Sequence, residues 1–461
     1  MLMTSKSSSS TGAPRRQLSL FDTICIIVGI VIGTGIYQTT PTIALAASSP
    51  TALVLFWVVG GVLSLIGALC YAELATAYPH SGGDYVFLTR AYGRPSGFLF
   101  AWSEFWIVRA GNVGLMAIIF GNYASQSVPL NISAANPHYD HVAYAILSVV
   151  GLTATNVLGV KVGKTTQNIL TTVKVIALLA IFVVAFAVVP AAEAQEIKPV
   201  SPHITLFTAM VLVFFTYGGW NEMSFVAAEV QNPERNILRS LVGGTLLVMA
   251  IYICLNLAFL RALGLQGMRD SNAIAADLLS LAMGNGGKTL ISILVCLSCL
   301  GAINGMLFTG ARIFYASGQH HSLAAALAKW NPRFDSPMRA LIGQAVVTLV
   351  LLGTLGLAKD GFERLVYFTT PVFWLFKLFV AISLFVLRYR DPHTPRKQRV
   401  PLYPIVPLVF AATCIFVIYS STQYALSQRA YEAFIAIGIV LAGIPFAFLG
   451  RMQTKAKDTW L

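Results

Sequence analysis

The sequence predicts an all-α membrane protein built from two five-helix halves that enter the bilayer in opposite senses. Of its 461 residues, 56% are hydrophobic and only 11% are charged, whereas about a quarter of the residues of a soluble domain are charged. The apolar residues form runs of roughly 18–28 residues between short polar connectors, which is typical of helices that cross a bilayer. Two of these runs are interrupted by glycines near their centre. The composition therefore excludes a soluble globular protein.

The apolar runs predict twelve membrane spans in all. Their approximate bounds are 21–48, 51–78, 97–126, 141–158, 165–190, 203–229, 239–262, 288–316, 339–358, 362–387, 402–422 and 430–450. Spans 1–5 (residues 21–190) form the first half and spans 6–10 (203–387) the second, and spans 11 and 12 (402–450) follow. Residues 1–20 are predicted to be a disordered cytoplasmic tail, and residues 451–461 are predicted to be a second cytoplasmic tail.

The charge distribution orients these spans. Most of the 31 lysines and arginines lie in connectors on the side of the N-terminus, and the positive-inside rule therefore places both termini in the cytoplasm. The net charge of +13 thus reflects membrane orientation, and no nucleic-acid partner is predicted.

Cysteines and histidines give no sign of catalytic or metal chemistry. All six cysteines lie inside apolar runs, as small buried hydrophobic residues do, and the seven histidines lie in or beside connectors. There is also no phosphate-binding glycine loop. We expect no metal site, no cofactor and no enzymatic activity.

Spans one and six carry the glycine breaks. The first break contains Gly33 and Gly35, and the second contains Gly218 and Gly219. A glycine costs about 1 kcal/mol relative to alanine inside a helix, and unwound backbone is tolerated in a membrane only where it is packed in protein or lines a cavity. The breaks lie five spans apart, an odd number, which predicts an inverted repeat with its binding site at the breaks. The alternative is that these glycines only permit close helix packing.

An unwound turn offers groups of both polarities. The N–H groups of Thr34, Gly35 and Ile36 could hold a carboxylate at the start of a half-helix. The carbonyls that could hold an ammonium group are those of Ile30, Val31, Phe214, Phe215 and Gly218. A zwitterion uses both kinds of group at once, so an α-amino acid is the predicted ligand. Aromatic residues flank the second break and could close over it, or they could simply pack.

Some ionisable residues inside the predicted spans are candidates for functional roles. Lys174 is too deep for easy snorkelling, and its ammonium could replace a bound sodium ion, although snorkelling remains an alternative. Glu104 and Arg109 are five residues apart, a spacing that does not place them on one helix face, so each is expected to meet partners on other helices. Lys377 has no assignable acidic partner.

Two further polar residues extend this set. Asn112 lies one turn after Arg109, and both could line the transport pathway. Glu222 follows the second break and could read a substrate side chain or carry a proton, or it could be a satisfied polar group.

Several sequence motifs occur in an order that is specific to one family. They are Gly33–Ile36, Tyr71–Leu74, Pro79–Tyr85, Tyr217–Asn221, Glu229–Asn236 and Asn304–Arg312. With these motifs the chain resembles the amino acid–polyamine–organocation (APC) superfamily of permeases, closest to its L-type amino acid transporter branch. The resemblance covers nearly all of residues 18–450.

The resemblance implies a LeuT-type fold, with helices 1 and 6 unwound, that works by alternating access. It implies that Thr34 and Gly35 bind the amino-acid carboxylate, and that Val31, Phe215 and Gly218 bind the ammonium. The implied substrate site also includes Gly219 and Asn221, and the implied gating residues are Phe215 and Trp220. Lys174 matches the lysine that occupies the sodium position in sodium-independent members, and Glu104 and Arg109 match a pair found in the L-type branch.

Some features depart from that branch. Glu222 replaces a usually neutral residue, and Pro371, Phe373 and Lys377 alter the tenth helix, so the side-chain specificity stays open. Animal L-type transporters are linked to a heavy chain through a cysteine in the loop after span three. The segment Ser127–Asp140 has no cysteine, so no disulfide-linked heavy chain is expected, and the functional unit is predicted to be a monomer.

The predicted function is sodium-independent transport of neutral L-amino acids in the plasma (inner) membrane, by exchange. The alternatives are proton-coupled symport, transport of cationic amino acids or polyamines attracted by Glu222, and a non-transporting sensor or channel on the same fold.

Overall fold

The computed structural model describes residues 13–132, 138–193, 196, 199, 206–354, 361–427 and 431–449, and these residues are built from helices. The helices are α1 (Leu20–Val31), α2 (Gly35–Gln38), α3 (Thr40–Ala46), α4 (Pro50–Ala77), α5 (Asp84–Tyr92), α6 (Arg94–Ser103), α7 (Arg109–Ser127), α8 (His138–Val157), α9 (Val160–Ala187), α10 (Leu206–Thr216), α11 (Pro233–Asp270), α12 (Ile274–Met283), α13 (Asn285–His320), α14 (Met338–Thr354), α15 (Gly361–Arg390), α16 (Ile405–Ser427) and α17 (Tyr431–Leu449). A π-helical turn covers Glu104–Val108, and 3₁₀ helices cover Trp220–Glu229 and Ser322–Leu327. Most of the two predicted tails lies outside the described residues.

Nine stretches of the described chain are long and apolar enough to cross a membrane. The predicted spans that do not reach this length and apolarity are those at α8, α10 and α14. The α-helix of α10 stops at the second break, and α14 has 17 residues before the chain leaves the described range. The all-helical membrane architecture is thus confirmed, while the count of twelve spans stays a prediction.

The structure interrupts both helices where the sequence predicts. Helix α1 begins at a capping box in which the Ser19 side chain accepts a hydrogen bond from the Asp22 N–H. It ends at Val31, and helical geometry resumes only at Gly35. Helix α10 ends at Thr216, and the chain continues as a 3₁₀ helix from Trp220. The predicted first span therefore consists of α1, α2 and α3, because unwinding at Ile32–Thr34 divides it.

The first broken helix lies at the centre of the molecule. Of its most apolar stretch 83% is buried, against 17% for Tyr431–Leu449, whose apolar side chains face outwards. Helix α1 packs against α9, α11 and α13 and against the 3₁₀ helix of the second break. Unwound backbone is thus enclosed by protein, as a low-dielectric membrane interior requires.

The expectation that Glu104 and Arg109 cannot share a helix face is wrong. The chain forms a π-helical turn at Glu104–Val108, and the Arg109 N–H donates to the Glu104 carbonyl. A π-turn joins residues five apart, so it brings the two side chains together. The ordinary 3.6-residue period that underlay the expectation does not apply at this point.

Candidate functional site

A central cavity lies between the two broken helices. Its empty space is about 800 Å³, a volume that includes the solvent at its open side. Its lining comes from both breaks and from α7, α13 and α15, and consists of Ile30, Val31, Gly33, Thr34, Gly35, Asn112, Leu115, Met116, Phe214, Phe215, Thr216, Gly218, Gly219, Glu222, Ala302, Met306, Thr369, Thr370, Phe373 and Trp374.

The first break presents free amide groups. No hydrogen bond of the described residues uses the backbone N–H of Thr34, Gly35 or Ile36. These groups lie at the start of the half-helix that contains α2, where the N–H groups have no helical acceptor. Thr34 and Gly35 line the cavity. This arrangement suits an anionic group, as the sequence predicts.

The carbonyls at the two breaks differ in the number of hydrogen bonds that they accept from the protein. The Val31 carbonyl accepts hydrogen bonds from the Gly33 N–H at 2.8 Å and the Tyr252 hydroxyl at 2.9 Å. This carbonyl therefore already has protein donors, while its predicted role as an ammonium ligand stays a prediction. The Phe215 carbonyl accepts one hydrogen bond, from the Gly218 N–H at 3.1 Å. For the Gly218 carbonyl no partner occurs among the described residues.

Lys174 is fully buried on α9 and is not a snorkelling residue. Its ammonium donates to the carbonyls of Gly29 at 2.9 Å, Ile32 at 2.6 Å and Ser298 at 3.1 Å. An ammonium has three N–H donors, so all are used. Two of the acceptors belong to the end of the first broken helix, and Lys174 thereby joins α9 and α13 to the first break.

A buried ionic triad borders the cavity. Arg109 Nη1 donates to Glu222 Oε2 at 2.7 Å, and Arg109 Nη2 lies 3.2 Å from Glu104 Oε2. The Thr309 hydroxyl also donates to Glu222 Oε2, at 2.5 Å. One guanidinium therefore serves two carboxylates from different elements. Glu222 lines the cavity, whereas Arg109 and Glu104 stand behind it.

Lys377 has an acidic partner that sequence reasoning missed. Its ammonium donates to Asp84 Oδ2 at 2.8 Å and lies 3.1 Å from the Tyr71 hydroxyl, which donates to the same carboxylate. Asp84 is 293 positions away in the sequence, so no local pattern could have paired it with Lys377. This contact ties α15 to the start of α5.

Some of the residues predicted to gate the site or contact the substrate line the cavity, and others do not. Phe215 is half-buried and lines the cavity, as does Asn112. Trp220 does not line it, because its ring packs in the core at 5.1 Å from the Tyr71 ring. Asn221 is also buried away from the cavity, and its Nδ2 has no partner among the described residues. Phe215 therefore lies at the cavity and Trp220 lies away from it, and the gating roles of both residues stay predictions.

Helix α15 contributes a wall that the sequence indicated only indirectly. Thr369, Thr370, Phe373 and Trp374 line the cavity beside Pro371. A proline inside a long apolar helix removes a backbone hydrogen bond and marks an irregular site, and this was the available signal. Tyr252 gave no such signal, although its hydroxyl bridges the two breaks, 2.9 Å from the Val31 carbonyl oxygen and 3.1 Å from the Thr216 carbonyl oxygen.

Substituting Gly219 with alanine is expected to weaken ligand binding and to lower stability by about 1–2 kcal/mol. Gly219 has φ +111°, and an added Cβ would lie 2.8 Å from Ile30 Cγ2. The matched control is Gly243→Ala in α11, where an added Cβ meets nothing within 4 Å. Thermal unfolding and amino-acid binding by purified protein would measure both effects, and equal behaviour of the two variants would contradict the prediction.

Two interrupted membrane helices around a cavity with free amide groups are typical of secondary membrane transporters. The particular family follows from sequence comparison. The amino acid permease family matches residues 18–444, and the chain belongs to this family, within the APC superfamily. It is an amino acid transporter and an integral, multi-pass membrane protein, and it is not an enzyme.

Curated relatives cover almost the whole chain. The large neutral amino acids transporter small subunit 2 of Mus musculus is 30% identical over 455 residues, which are 96% of this chain and 83% of the relative. The cystine/glutamate transporter of Homo sapiens is 30% identical over 97% of this chain and 87% of its own length. The b(0,+)-type amino acid transporter 1 of Mus musculus is 25% identical over 95% and 88%. The names of these relatives span neutral and acidic substrates, so similarity alone does not fix the substrate of this chain.

Proposed function

We propose that this protein is a sodium-independent exchanger of neutral L-amino acids. The observation that carries the proposal is the complete hydrogen bonding of Lys174 to three carbonyls, two of them at the first break. A fixed ammonium satisfies oxygen atoms that a sodium ion would otherwise coordinate, so substrate binding does not require the ion. The proposal places these contacts in a LeuT-type 5+5 inverted repeat with both termini cytoplasmic.

The substrate's charged ends are assigned to the two breaks. In the proposal, the carboxylate accepts from the free N–H groups of Thr34, Gly35 and Ile36. The ammonium donates to the carbonyl of Gly218 and the remaining lone pair of the Phe215 carbonyl. Phe215 closes over the occupied site.

Neutral substrates are favoured because the acidic residue in the cavity wall is already paired. Glu222 is bound by Arg109 at 2.7 Å, so it presents less negative charge to the cavity than a free carboxylate would. Cationic amino acids and polyamines are accordingly the secondary candidates. Proton-coupled symport stays an alternative mechanism.

Alternating access requires one side of the cavity to open while the other closes. On the N-terminal side, Arg312 Nε donates to Glu229 Oε1 at 2.8 Å, and the Glu229 carbonyl accepts the Leu18 N–H at 2.8 Å. Lys164 meets Asp22 at 2.9 Å on the same side. We assign these contacts to a closed cytoplasmic gate that separates when the protein opens inwards.

The chain is proposed to act without a disulfide-linked heavy chain, as a functional monomer in the plasma (inner) membrane. The name of the first relative describes a small subunit, which implies a larger assembly for that protein. Here the six cysteines all lie in helices, and Ser127–Asp140 contains none. This supports the absence of the covalent link and leaves non-covalent association to be measured.

Counterflow in proteoliposomes tests the proposal. Uptake of a labelled neutral amino acid is expected to require unlabelled amino acid inside and to keep its rate when external sodium is replaced by potassium. A sodium requirement would refute sodium independence. Uptake into empty vesicles that follows an imposed pH gradient would identify proton symport instead of exchange.

A further inference from the structure

The carboxylate of Glu222 uses only one of its two oxygens in the protein. Arg109 Nη1 and the Thr309 hydroxyl both bind Oε2. No hydrogen bond of the described residues reaches Oε1. Oε1 is also absent from the buried side-chain atoms that lack a partner. Because Glu222 lines the cavity and Oε2 is engaged by the protein, Oε1 is the oxygen left for a ligand.

The triad behind this oxygen carries an excess of negative charge. Arg109 supplies one positive charge, and Glu104 and Glu222 supply one negative charge each. The neighbouring pair of Lys377 and Asp84 balances itself. The triad therefore has a formal net negative charge. Within the triad, Glu222 Oε1 is the hydrogen-bond acceptor that is left for a ligand. A hydrogen-bond donor to a charged acceptor contributes more than a donor to a neutral acceptor.

The same cavity holds other polar side chains without protein partners. Asn112 and Thr370 are half-buried and line it, and no hydrogen bond of either side chain occurs among the described residues. A pocket built for a hydrocarbon side chain would not need three such groups. A site whose polar groups are satisfied by the ligand rejects analogues that lack the matching group.

We propose that Glu222 Oε1 accepts a hydrogen bond from the substrate's side chain, so that the protein prefers amino acids with a side-chain O–H or N–H group to hydrocarbon analogues of similar size. This inference rests on the proposed amino-acid function and determines its side-chain specificity. The donor chemistry is shared by hydroxyl and ammonium side chains, and the substrate panel separates them.

Binding of two substrate pairs to the intact purified protein tests the preference. Threonine is compared with valine, and lysine with norleucine, because the members of each pair are similar in size. The donor-bearing member of at least one pair is expected to bind about tenfold or more tightly. A preference only for threonine identifies a neutral hydroxyl ligand, and a preference only for lysine identifies a cationic one. Equal affinities within both pairs would overturn the proposal.

The variant Glu222→Gln tests the atom itself. Arg109 only donates hydrogen bonds, so the glutamine oxygen must stay against Arg109 and its –NH₂ group then faces the cavity. The group that faces the cavity thus changes from an acceptor to a donor. The ratio of affinities within each substrate pair is therefore expected to fall towards one. Glu104→Gln is the matched control, since it removes one negative charge from the triad without changing the cavity wall, and it should lower the ratio less than Glu222→Gln does.

Equal loss of the preference in Glu222→Gln and Glu104→Gln would show that net charge, and not Oε1, selects the substrate. The wild-type comparison stands even if a variant fails to fold. A failure of the proposed function has a different result, because it shows as a sodium requirement or as the absence of counterflow with neutral amino acids. Counterflow without any side-chain preference would overturn this inference alone.

Discussion

Lys174→Ala is expected to reduce amino-acid counterflow by at least about tenfold. The alanine leaves the carbonyls of Gly29, Ile32 and Ser298 without the ammonium that now binds them at 2.6–3.1 Å. Each unsatisfied buried acceptor costs about 1–3 kcal/mol. Because two of these carbonyls end the first broken helix, the loss disturbs the amide groups that are proposed to hold the substrate carboxylate. Counterflow and binding in the same preparation would measure the effect.

Two further variants separate charge from packing. Lys174→Met restores most of the side-chain volume without the ammonium, and it is expected to remain as impaired as the alanine variant. Lys161→Ala removes an exposed lysine from the same helix, α9, and should keep the wild-type rate. Normal transport by Lys174→Ala would refute the assigned role, and recovery by Lys174→Met would reduce Lys174 to a space-filling residue.

The sequence predicts the helix breaks well because they depend on local backbone chemistry. Paired glycines inside a long apolar run are easily recognised, as at Gly33, Gly35, Gly218 and Gly219. In a membrane, unwound backbone at such glycines must be packed in protein or line a cavity. Lys174 was predictable for the same reason, since an ammonium deep in a span requires carbonyl partners. The structure supplies those partners.

Contacts between distant segments could not be predicted in this way. The Lys377–Asp84 pair joins residues 293 positions apart, and nothing in either local sequence specifies the other. The engagement of the Val31 carbonyl by Tyr252 depends on the packing of α11 against α1. The prediction for Glu104 and Arg109 was wrong for a different reason. It assumed a regular α-helix, whereas the chain forms a π-helical turn at this point.

Arg109→Met is expected to destabilise the protein by about 3–5 kcal/mol, the effect of breaking a buried ion pair from one side. The substitution leaves two buried carboxylates, Glu104 and Glu222, without their shared cation. Their mutual repulsion adds to the cost of desolvation. Thermal unfolding in detergent would measure the loss. The control is Lys397→Met, whose pair with Glu234 is exposed and is worth at most about 1 kcal/mol.

Removing the two carboxylates that Arg109→Met leaves unpaired should restore part of the stability. The triple variant Arg109→Met, Glu104→Gln, Glu222→Gln contains no ionisable group at the triad, so it is expected to unfold at a higher temperature than Arg109→Met alone. This rescue distinguishes charge balance from packing, because a purely steric role of Arg109 predicts no gain from changing its partners. Arg109 would then stabilise Glu222 within a triad whose net charge is negative, and a hydrogen-bond donor on the substrate would offset that charge. The stability of the core would thus depend on the same ion pairs that determine which side chain the cavity accepts.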